Sequence, residues 1–407
     1  MTAGDRGRLE WIALGFIGLC LVLLPWLADL RPPPLTARAA TEYLVTSARD
    51  AGPGSLREAI VFANRAGRRA RILLPSRTVR VETPLPPLVN PDGVVVQGQS
   101  GSEIDATALG EGAALDVISP GSSLRGFRLA RGAEQGILVR SPRTELEDLT
   151  VAGCGSGVDA LATASGLRVT GCRFDSNGFG VVLEGGIRDV KLLDNAFRGH
   201  RRAAVWAVSP QDVSRPELLI LRNRFDSDAF AIVSMNAGAR IEDNDVSGCQ
   251  EAGVFVSGRQ NLLRNNRVRS GRAYGICAVS SEATVIEGNE TDHNQAVGIL
   301  LKNALTTVVR ANRVYANGFG IVVVFGDALR PSRLAENMVW RQSFDGVYII
   351  GGSPIVAGNQ VRASGGAGIR IDDFEGRRGV LVARPLLSDN VLDRNLYDDL
   401  KRGRYVE

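Results

Sequence analysis

The segments LRNNRVRSGRAYGICAV (263–279) and IEGNETDHNQAVGILLK (286–302) decide the fold, because they repeat one pattern at an interval of 23 residues. An apolar residue is followed by two variable positions, an Asn, one variable position and usually Phe, Val, Thr or Leu. Eight or nine residues after the Asn, a Gly precedes Ile or Val. The Asn position recurs at Asn195, Asn223, Asn244, Asn266, Asn289, Asn312, Asn337, Asn359 and Asn390, preceded by Phe127, Leu149 and Cys172, at intervals of 21 to 31 residues. Such a period indicates a solenoid.

The length of the repeat selects the kind of solenoid. Each repeat contains two or three short runs with alternating apolar residues, rich in Val and Ile and separated by Gly, Asn, Asp and Ser. About 22 residues are too few for the helix pairs of longer helical repeats, and the spaced Leu residues of leucine-rich repeats are absent. The sequence therefore predicts an all-β chain, a right-handed parallel β-helix. Its Asn residues are expected to stack as scaffold, because Asn tolerates the left-handed bend region.

The ends of the chain are expected to differ from the repeats. Residues 11–28 form one apolar run, long enough to span a bilayer, and predict an anchor in the inner membrane or, as the alternative, a signal peptide. The small-x-small site Ala37-Arg38-Ala39 lies well beyond the run and favours the anchor, and both alternatives export the protein to the periplasmic or extracellular side. Ser55, with Glu58 three residues on, predicts a helix to about Ala66 that caps the first coil. We divide the chain into an anchor and linker (1–39), a cap and first coils (40–130), further coils (131–395) and a charged tail (396–407).

The N-terminal block also resembles a known family. DAGPGSLREAI (50–60), followed by RILLPSRTVRVETPLPPL (71–88), VVVQGQSG (94–101) and SLRGFRL (123–129), is similar to the opening of exported bacterial β-helix proteins of the pectate-lyase-like superfamily. The resemblance implies the fold over residues 42–395. It implies no single activity, because that superfamily includes lyases, hydrolases, epimerases, adhesins and proteins without catalysis.

The distribution of charge along the chain limits the classes of partner that we expect. The formal net charge is +4 over 407 residues, and no Lys/Arg run occurs of the kind that nucleic-acid binders carry, so we expect no nucleic-acid partner. Outward residues around the Asn position alternate in sign from coil to coil, as in Arg264, Glu287 and Arg310. Stacked coils would pair these charges in a solvated ladder. We therefore predict that this surface is scaffold.

The strand that follows each Gly differs, because its predicted outward positions are apolar and aromatic. The second position after Gly carries Leu138, Asp159, Val182, Trp206, Val233, Phe255, Cys277, Leu300, Val322, Tyr348 and Arg370. The fourth carries Arg140, Leu161, Glu184, Val208, Met235, Ser257, Val279, Lys302, Val324, Ile350 and Asp372. Such a surface needs a cover. Insertions near 208–218, 325–333 and 373–385 follow this strand and would form a wall along a groove.

A polysaccharide along this groove is the first hypothesis, because aromatic rings stack on sugars and the resemblance includes polysaccharide lyases and epimerases. Uronate chemistry needs a cation for the carboxylate and groups for proton transfer. Candidate catalytic residues are His293, Tyr348, Arg370 and Lys302. Candidate substrate-binding residues are Trp206, Phe255, Arg272, Asp345 and Asp372. No metal site is predicted, and the sequence leaves any cofactor unknown.

Each candidate also has a structural interpretation. His293 suits a solvated turn, Tyr348 an apolar cover, and Lys302 and Arg370 ordinary surface charges; His200, among arginines, suits a solvated basic loop. Two further functional hypotheses stay open. The apolar face could dock another envelope protein in a non-catalytic scaffold, or two copies could pack face to face as a homodimer.

Overall fold

The computed structural model describes residues 41–208, 217–235, 238–376 and 379–406. These residues form a parallel β-helix in which each coil contributes one strand to each of three long sheets. Every coil hydrogen-bonds in parallel to the preceding and following coils, as in the register Arg264↔Glu287 and Glu287↔Arg310. The structure therefore confirms the predicted fold. Each sequence repeat forms one coil of the β-helix, which explains the period of the sequence.

The strand bounds follow the repeat. The first sheet contains Thr41–Leu44, Ala70–Leu73, Val94–Gln97, Ser123–Arg125, Glu145–Glu147, Arg168–Thr170, Val190–Leu193, Leu218–Leu221, Ala239–Glu242, Leu262–Arg264, Val285–Glu287, Val308–Arg310, Arg333–Ala335, Ile355–Ala357 and Leu386–Ser388. The second contains Thr78–Arg80, Glu103–Asp105, Arg128–Ala130, Thr150–Ala152, Arg173–Asp175, Ala196–Arg198, Arg224–Asp226, Asp245–Ser247, Arg267–Arg269, Glu290–Asp292, Arg313–Tyr315, Met338–Trp340, Gln360–Arg362 and Val391–Asp393. The third contains Ala113–Val117, Gln135–Val139, Ser156–Ala160, Phe179–Glu184, Ala203–Val208, Phe230–Met235, Ala252–Arg259, Tyr274–Glu282, Val297–Lys302, Phe319–Val324, Val347–Ile350, Ile369–Gly376, Gly379–Leu381 and Leu400–Val406.

The lumen of the helix is the hydrophobic core. Apolar side chains at alternate positions of the short strands point inward, and these inward residues form one continuous buried cluster along the described chain. Phe174, Phe197 and Phe225 stack in successive coils with ring centroids 5.0 and 4.9 Å apart and nearly parallel planes. Because each coil buries its apolar side chains only against its neighbours, stability grows with the number of stacked coils.

A hydrogen-bonded ladder of asparagines runs through the turn between the first and second sheets. Oδ1 of Asn289 accepts hydrogen bonds from the backbone N–H and from Nδ2 of Asn266, both at 2.9 Å. The same pair of bonds links each of the nine asparagines from Asn195 to Asn390 to the next. The predicted scaffold role of the Asn position is confirmed, since these buried amides satisfy one another.

Helix α1 (Leu56–Arg65) packs with its buried face, Leu56, Ala59, Ile60 and Ala63, in the same cluster as the first coils. Ser55 caps it, since its Oγ accepts the Glu58 N–H at 3.2 Å. The Glu58 carboxylate accepts from Gly54 N–H at 2.6 Å, one residue earlier than a standard capping box. The predicted capping helix is therefore present.

Two terminal predictions have different outcomes. The apolar run 11–28, predicted to be an anchor or a signal peptide, lies outside the described residues. Within the described ranges, no helix is both long and apolar enough to cross a bilayer. The region expected to be a charged tail contains the strand Leu400–Val406, which pairs in parallel with Ile369–Gly376. Backbone hydrogen bonding to the preceding coil holds this segment despite its charges.

A second ladder occupies the turn between the second and third sheets, and it corrects one expectation. His200 does not lie in a solvated loop: its side chain is fully buried, and its Nδ1 lies 2.7 Å from Oδ1 of Asp228 in the next coil. Asn177, Asn294, Asn317 and Gln342 bridge neighbouring coils at the equivalent position elsewhere. The basic residues around His200 face outward, whereas the His side chain takes part in this inner ladder.

The charge ladder on the first sheet is confirmed. Glu287 lies between Arg264 and Arg310 of the adjacent coils, at 3.3 and 2.8 Å. The hydrogen bond from Arg310 is the main cause that lowers the pKa of Glu287. All three side chains are solvated, so each pair contributes little to stability and mainly opposes slippage of the register.

Candidate functional site

The outer face of the third sheet is the apolar surface predicted from sequence. The first and third residues after each Gly lie in the luminal core, whereas Val322, Tyr348 and Ile350 form a separate buried cluster outside it. Phe374 of the last insertion packs on that cluster. The second and fourth columns therefore point away from the lumen, as their alternation predicts.

A third outward column, one residue before each Gly or before Ala204 and Ala231, which replace it, adds more aromatic rings. It contains Phe179, Phe230, Tyr274 and Phe319 in different coils. Phe179 lies 5.8 Å from Trp206, and Phe319 lies 5.8 Å from Tyr348, both between ring centroids. The sequence analysis missed this column, although the recurrence of Phe or Tyr before Gly was a signal that could have revealed it.

The Gly position forms a corner that explains the third column. A Cβ at Gly320 would lie 2.2 Å from the Gly346 carbonyl oxygen and 2.6 Å from Cγ1 of Val339 in the lumen. The backbone at this corner therefore lies in close contact with the next coil and with the core. The Gly and the residue that follows the Gly lie on the luminal side. The residue before the corner consequently faces outward.

An aromatic platform lies near the C-terminal end of this face. The ring of Phe319 stacks on Phe344 at 4.9 Å and on Tyr348 at 5.8 Å, with interplanar angles of 29° and 25°. Phe344 is 54% exposed, whereas Tyr348 is buried beneath its neighbours. Phe344 is thus the member of the platform that a ligand can contact directly.

A polar cluster adjoins the platform. Arg370 donates to Oδ2 of Asp372 through Nε at 3.0 Å and through Nη2 at 2.8 Å. Tyr348 donates its hydroxyl to the same oxygen at 2.8 Å, and the guanidinium lies 4.9 Å from the Tyr348 ring centroid. Asp345 Oδ2 is 3.8 Å from Arg370. Four of the predicted site residues therefore meet in one cluster.

Burial decides what each member of the cluster can do. Burial, together with the hydrogen bond to Asp372, raises the pKa of Tyr348 well above its usual range, so this phenol keeps its proton. Asp372 is buried, and its Oδ1 has no hydrogen-bond partner within the described chain. A Cβ on Gly403 would lie 2.8 Å from that oxygen, so glycine leaves the room it occupies. Arg370, about one third exposed, presents the cluster to solvent.

Trp206, Phe255 and Lys302 lie on the same face, nearer the N-terminal end. Trp206 and Phe255 belong to the second column and are half-buried. Lys302 ends its strand, pairs in register with Val324 and is exposed. The structure therefore places these three residues along the groove but in coils that precede the Arg370 cluster.

His293 and Arg272 lie outside this cluster. His293 follows the second sheet at a turn with φ 55°, is 62% exposed, and its Nδ1 lies 2.7 Å from Asp292 Oδ1. Arg272 is exposed in the turn that leads into the third sheet. Neither residue is joined to Tyr348 or Arg370 by a hydrogen bond or ion pair in the described chain.

The predicted wall is present where the structure describes it. The last insertion continues its strand to Gly376 and returns through Gly379–Leu381 as an antiparallel hairpin. Phe374 on this hairpin contacts Phe325, the first residue of the middle insertion, at 4.7 Å between ring centroids. Most of the first insertion (209–216) lies outside the described residues. The two described insertions thus meet at one edge of the face.

The N-terminal end of the face contains a cavity of about 400 Å³. Gly155 and Gly178 have no side chains to fill the space between Glu134 and Arg202, so the cavity stays open there. The Arg202 guanidinium lies 5.4 Å from the Phe179 ring centroid. Asp159 lines this cavity between Leu138 and Val182, and its burial there raises its pKa. Within the described ranges, no cluster of three or more His, Cys, Asp or Glu side chains has the geometry to hold a metal ion.

The comparisons with known proteins concern the fold. The family model for the right-handed β-helix region matches residues 212–361. No curated protein matches the sequence. A periplasmic alginate epimerase, AlgG, is similar in structure at 15% identity and a TM-score of 0.50, covering 82% of this chain and 88% of its own.

Two α-1,3-glucanase structures of the GH87 family are similar as well. The catalytic unit from Streptomyces thermodiastaticus strain HF3-3 is 13% identical, with a TM-score of 0.53, covering 87% of this chain and 69% of its own. A GH87 catalytic domain in complex with tetrasaccharides is 13% identical, with a TM-score of 0.58, covering 89% and 71% respectively. These similarities show that the chain has a right-handed parallel β-helix fold.

Proposed function

We propose that this protein binds a polysaccharide along the outer face of its third sheet. The observation that carries the proposal is the junction of the Phe319–Phe344–Tyr348 platform with Arg370, because an exposed ring beside a guanidinium suits the apolar face and the hydroxyls of a sugar. The similarity in fold to an alginate epimerase and to α-1,3-glucanases, one of them with bound tetrasaccharides, supports a glycan as the ligand.

The residues of the cluster have different roles in this proposal. Phe344 and Arg370 contact the sugar. Tyr348, Asp372 and Asp345 are positioning residues, because their hydrogen bonds and charges fix the guanidinium. Two carboxylates already balance the single positive charge of Arg370, so its solvent-facing N–H groups are better suited to hydroxyl oxygens than to a uronate carboxylate.

Modification of the bound chain is the enzymatic form of the proposal. In lyase or epimerase chemistry on a uronate, Arg370 would meet the carboxylate. Tyr348 suits proton transfer poorly, because it is buried, its hydroxyl already donates to Asp372 and its raised pKa holds the proton tightly. His293 and Lys302 would have to act from other coils. The arrangement therefore favours binding over proton abstraction.

Export belongs to the same proposal. A polysaccharide of the cell envelope requires a protein on the periplasmic or extracellular side, and the alginate epimerase of similar fold is periplasmic. We propose that residues 11–28 direct that export, either as a membrane anchor or as a signal peptide.

Binding of the full chain to a panel of neutral glucans, alginate and polygalacturonate tests the proposal, with absorbance of unsaturated products followed in the same samples. Phe344→Ala or Arg370→Ala should weaken binding roughly ten-fold, equivalent to about 1.4 kcal/mol. Phe62→Ala and Arg222→Ala remove an exposed ring and an exposed guanidinium elsewhere and should leave binding unchanged. Absence of binding to every glycan would refute the proposal.

Docking of another protein is the second candidate function. It is favoured by the middle of the face, where successive coils form an apolar strip with Met235 exposed at its edge: Val233, Phe255, Cys277, Leu300 and Val322. Protein docking predicts that Met235→Asp, at the exposed edge of the strip, weakens the interaction while leaving glycan binding at Phe344 unaffected. A second copy is one such partner, and sedimentation at several concentrations would detect it.

A further inference from the structure

The outer face of the second sheet carries an aromatic column that the proposed glycan groove does not use. Tyr315 and Trp340 occupy the same ladder position in successive coils, and their rings stack at 4.5 Å with an angle of 14°. Arg362 and then Asp393 continue the ladder. The stack of rings therefore ends at Trp340, whose far side faces polar residues.

A cavity of about 290 Å³ opens on that far side, and we call it the notch. Its lining includes Trp340, Arg341, Gln360, Arg362, Ala363 and Arg394. Among the residues that the structure describes, Arg313 has its guanidinium near the indole, at 5.9 Å from the centroid, whereas Arg362 makes no such contact with the ring. A flat group can consequently reach the open face of Trp340.

The notch exists because of one small residue. Arg341, Ala363 and Arg394 occupy the same turn in three successive coils, with φ of 56°, 52° and 52°. Because coils stack about 4.8 Å apart, the two arginines flank the alanine across a gap of about 10 Å between their backbones. The methyl group of Ala363 leaves this gap unfilled.

The charge of the notch is positive. Arg341, Arg362 and Arg394 line it with Asp393 as the only carboxylate among the lining residues that the structure describes. Arg394 and Asp393 form an ion pair of 3.0 Å in which both side chains are well exposed, so the pair is weak and readily exchanged for a ligand. Guanidinium groups bind phosphate, sulfate and carboxylate through paired N–H donors.

We propose that the notch is a second binding site, for a small ligand that combines a flat ring with a negatively charged group. The ring stacks on the open face of Trp340, the anionic group lies between Arg341 and Arg394, and the Gln360 amide bonds to the ring edge. A nucleotide-like aromatic phosphate has this chemistry, and an acidic sugar approximates it with an anionic group on a ring whose apolar C–H face can also lie against an indole. The site lies on a different sheet from the glycan groove and does not depend on the proposed function.

Calorimetric titration of the full chain separates the two halves of the proposed recognition. The probes are AMP, which has a ring and an anion; adenosine, which has the ring alone; inorganic phosphate, which has the anion alone; and a galacturonate trisaccharide. AMP or the trisaccharide should bind at least ten-fold more tightly than adenosine and phosphate, and whichever binds more tightly identifies the ligand class. If phosphate binds as tightly as both AMP and the trisaccharide, the notch is only a basic surface and the proposal is overturned.

Variants test the location. Ala363→Arg fills the notch without removing any contact, and the turn should accept it because arginine occupies the same conformation at Arg341 and Arg394. It should abolish binding, as should Trp340→Ala, whereas Trp340→Phe should retain most of it. Arg128→Ala removes an exposed arginine from the far end of the same sheet and should change nothing. Circular dichroism and thermal unfolding show whether each variant folds; unchanged binding in folded Ala363→Arg would refute the site.

Discussion

The hydroxyl of Tyr348 lies 2.8 Å from Oδ2 of Asp372, and the same oxygen accepts two N–H groups of Arg370. One carboxylate oxygen thus joins a ring and a cation that neighbour each other in the ladder. The exposed guanidinium is held in place by two buried side chains. The buried Asp372 carboxylate therefore positions a cation at the surface of this face.

Tyr348→Phe should remove one hydrogen bond and leave the Arg370–Asp372 pair intact. Because the lost bond goes to a charged acceptor, we expect the free energy of unfolding to fall by about 1.5–3 kcal/mol. Denaturant unfolding measures the change. Tyr397→Phe, at an exposed ring, is the control and should lower the free energy of unfolding by less than about 0.5 kcal/mol. Equal effects of the two substitutions would show that the hydrogen bond to Asp372 is unimportant.

Tyr315 should titrate abnormally. Its hydroxyl donates to Oε1 of Glu290 at 2.7 Å, and this hydrogen bond raises the pKa of Tyr315 to about 12. The stabilisation from this bond should be complete below the ordinary tyrosine pKa of about 10 and should disappear as pH rises through the folded value. The difference in tyrosinate absorbance between wild type and Tyr315→Phe measures the titration, and Glu290→Gln should move it back toward 10. A midpoint near 10 in the wild type would contradict the prediction.

The asparagine ladder should be most sensitive at its centre. Asn266→Ala removes an Oδ1 that serves two donors of Asn244, at 3.1 and 2.9 Å, and strands a buried backbone N–H. We expect a loss of about 2–4 kcal/mol in the free energy of unfolding. Asn390→Ala, at the half-buried last member, should cost clearly less. Similar losses at both positions in denaturant unfolding would argue against the ladder as the source.

The buried His200–Asp228 pair should respond unequally to its two substitutions. Oδ1 of Asp228 accepts from both the backbone N–H and Nδ1 of His200, at 2.8 and 2.7 Å, and an asparagine oxygen can replace it. Asp228→Asn should therefore be neutral or stabilising, because it removes a buried carboxylate whose Oδ2 has no partner in the described chain. His200→Ala should cost about 2–4 kcal/mol through a cavity and lost bonds. Thermal unfolding of both variants gives the comparison, and a strongly destabilised Asp228→Asn would refute this account.

The fold was predictable because period and alternation determine it. The spacing of the Asn and Gly positions gives the coil length, and apolar alternation identifies the inward side chains. The capping helix followed from Ser55 and Glu58 in the same way. These signals are local, and stacking identical local units reproduces the whole solenoid.

The site was only partly predictable, because corners and neighbouring coils determine its details. Strict alternation across Gly320 would turn Phe319 inward, whereas the corner turns it outward onto Tyr348. The exposed Phe344 lies in the turn, two residues before Gly346. No periodic pattern in the sequence marks that position. For His200, the sequence showed three neighbouring arginines but could not show Asp228, which reaches it from another coil.

The notch lay on a surface that the sequence predicts to be scaffold. Alternating charges mark that surface over several coils, but Tyr315 and Trp340 interrupt the alternation near its C-terminal end. In the following coil, the small side chain of Ala363 leaves a cavity between its larger neighbours. A pattern averaged over all the repeats conceals this cavity, because only one coil differs from the consensus there.

All nine asparagine amides point the same way along the rod, since each carbonyl oxygen is directed at the donors of the coil before it. Aligned amide dipoles add and polarise one another. The solenoid therefore possesses an electrical axis, with its negative pole toward the helix-capped end, even though β-sheets by themselves have almost none. The described solenoid should orient in an electric field, and dielectric relaxation would reveal its permanent moment.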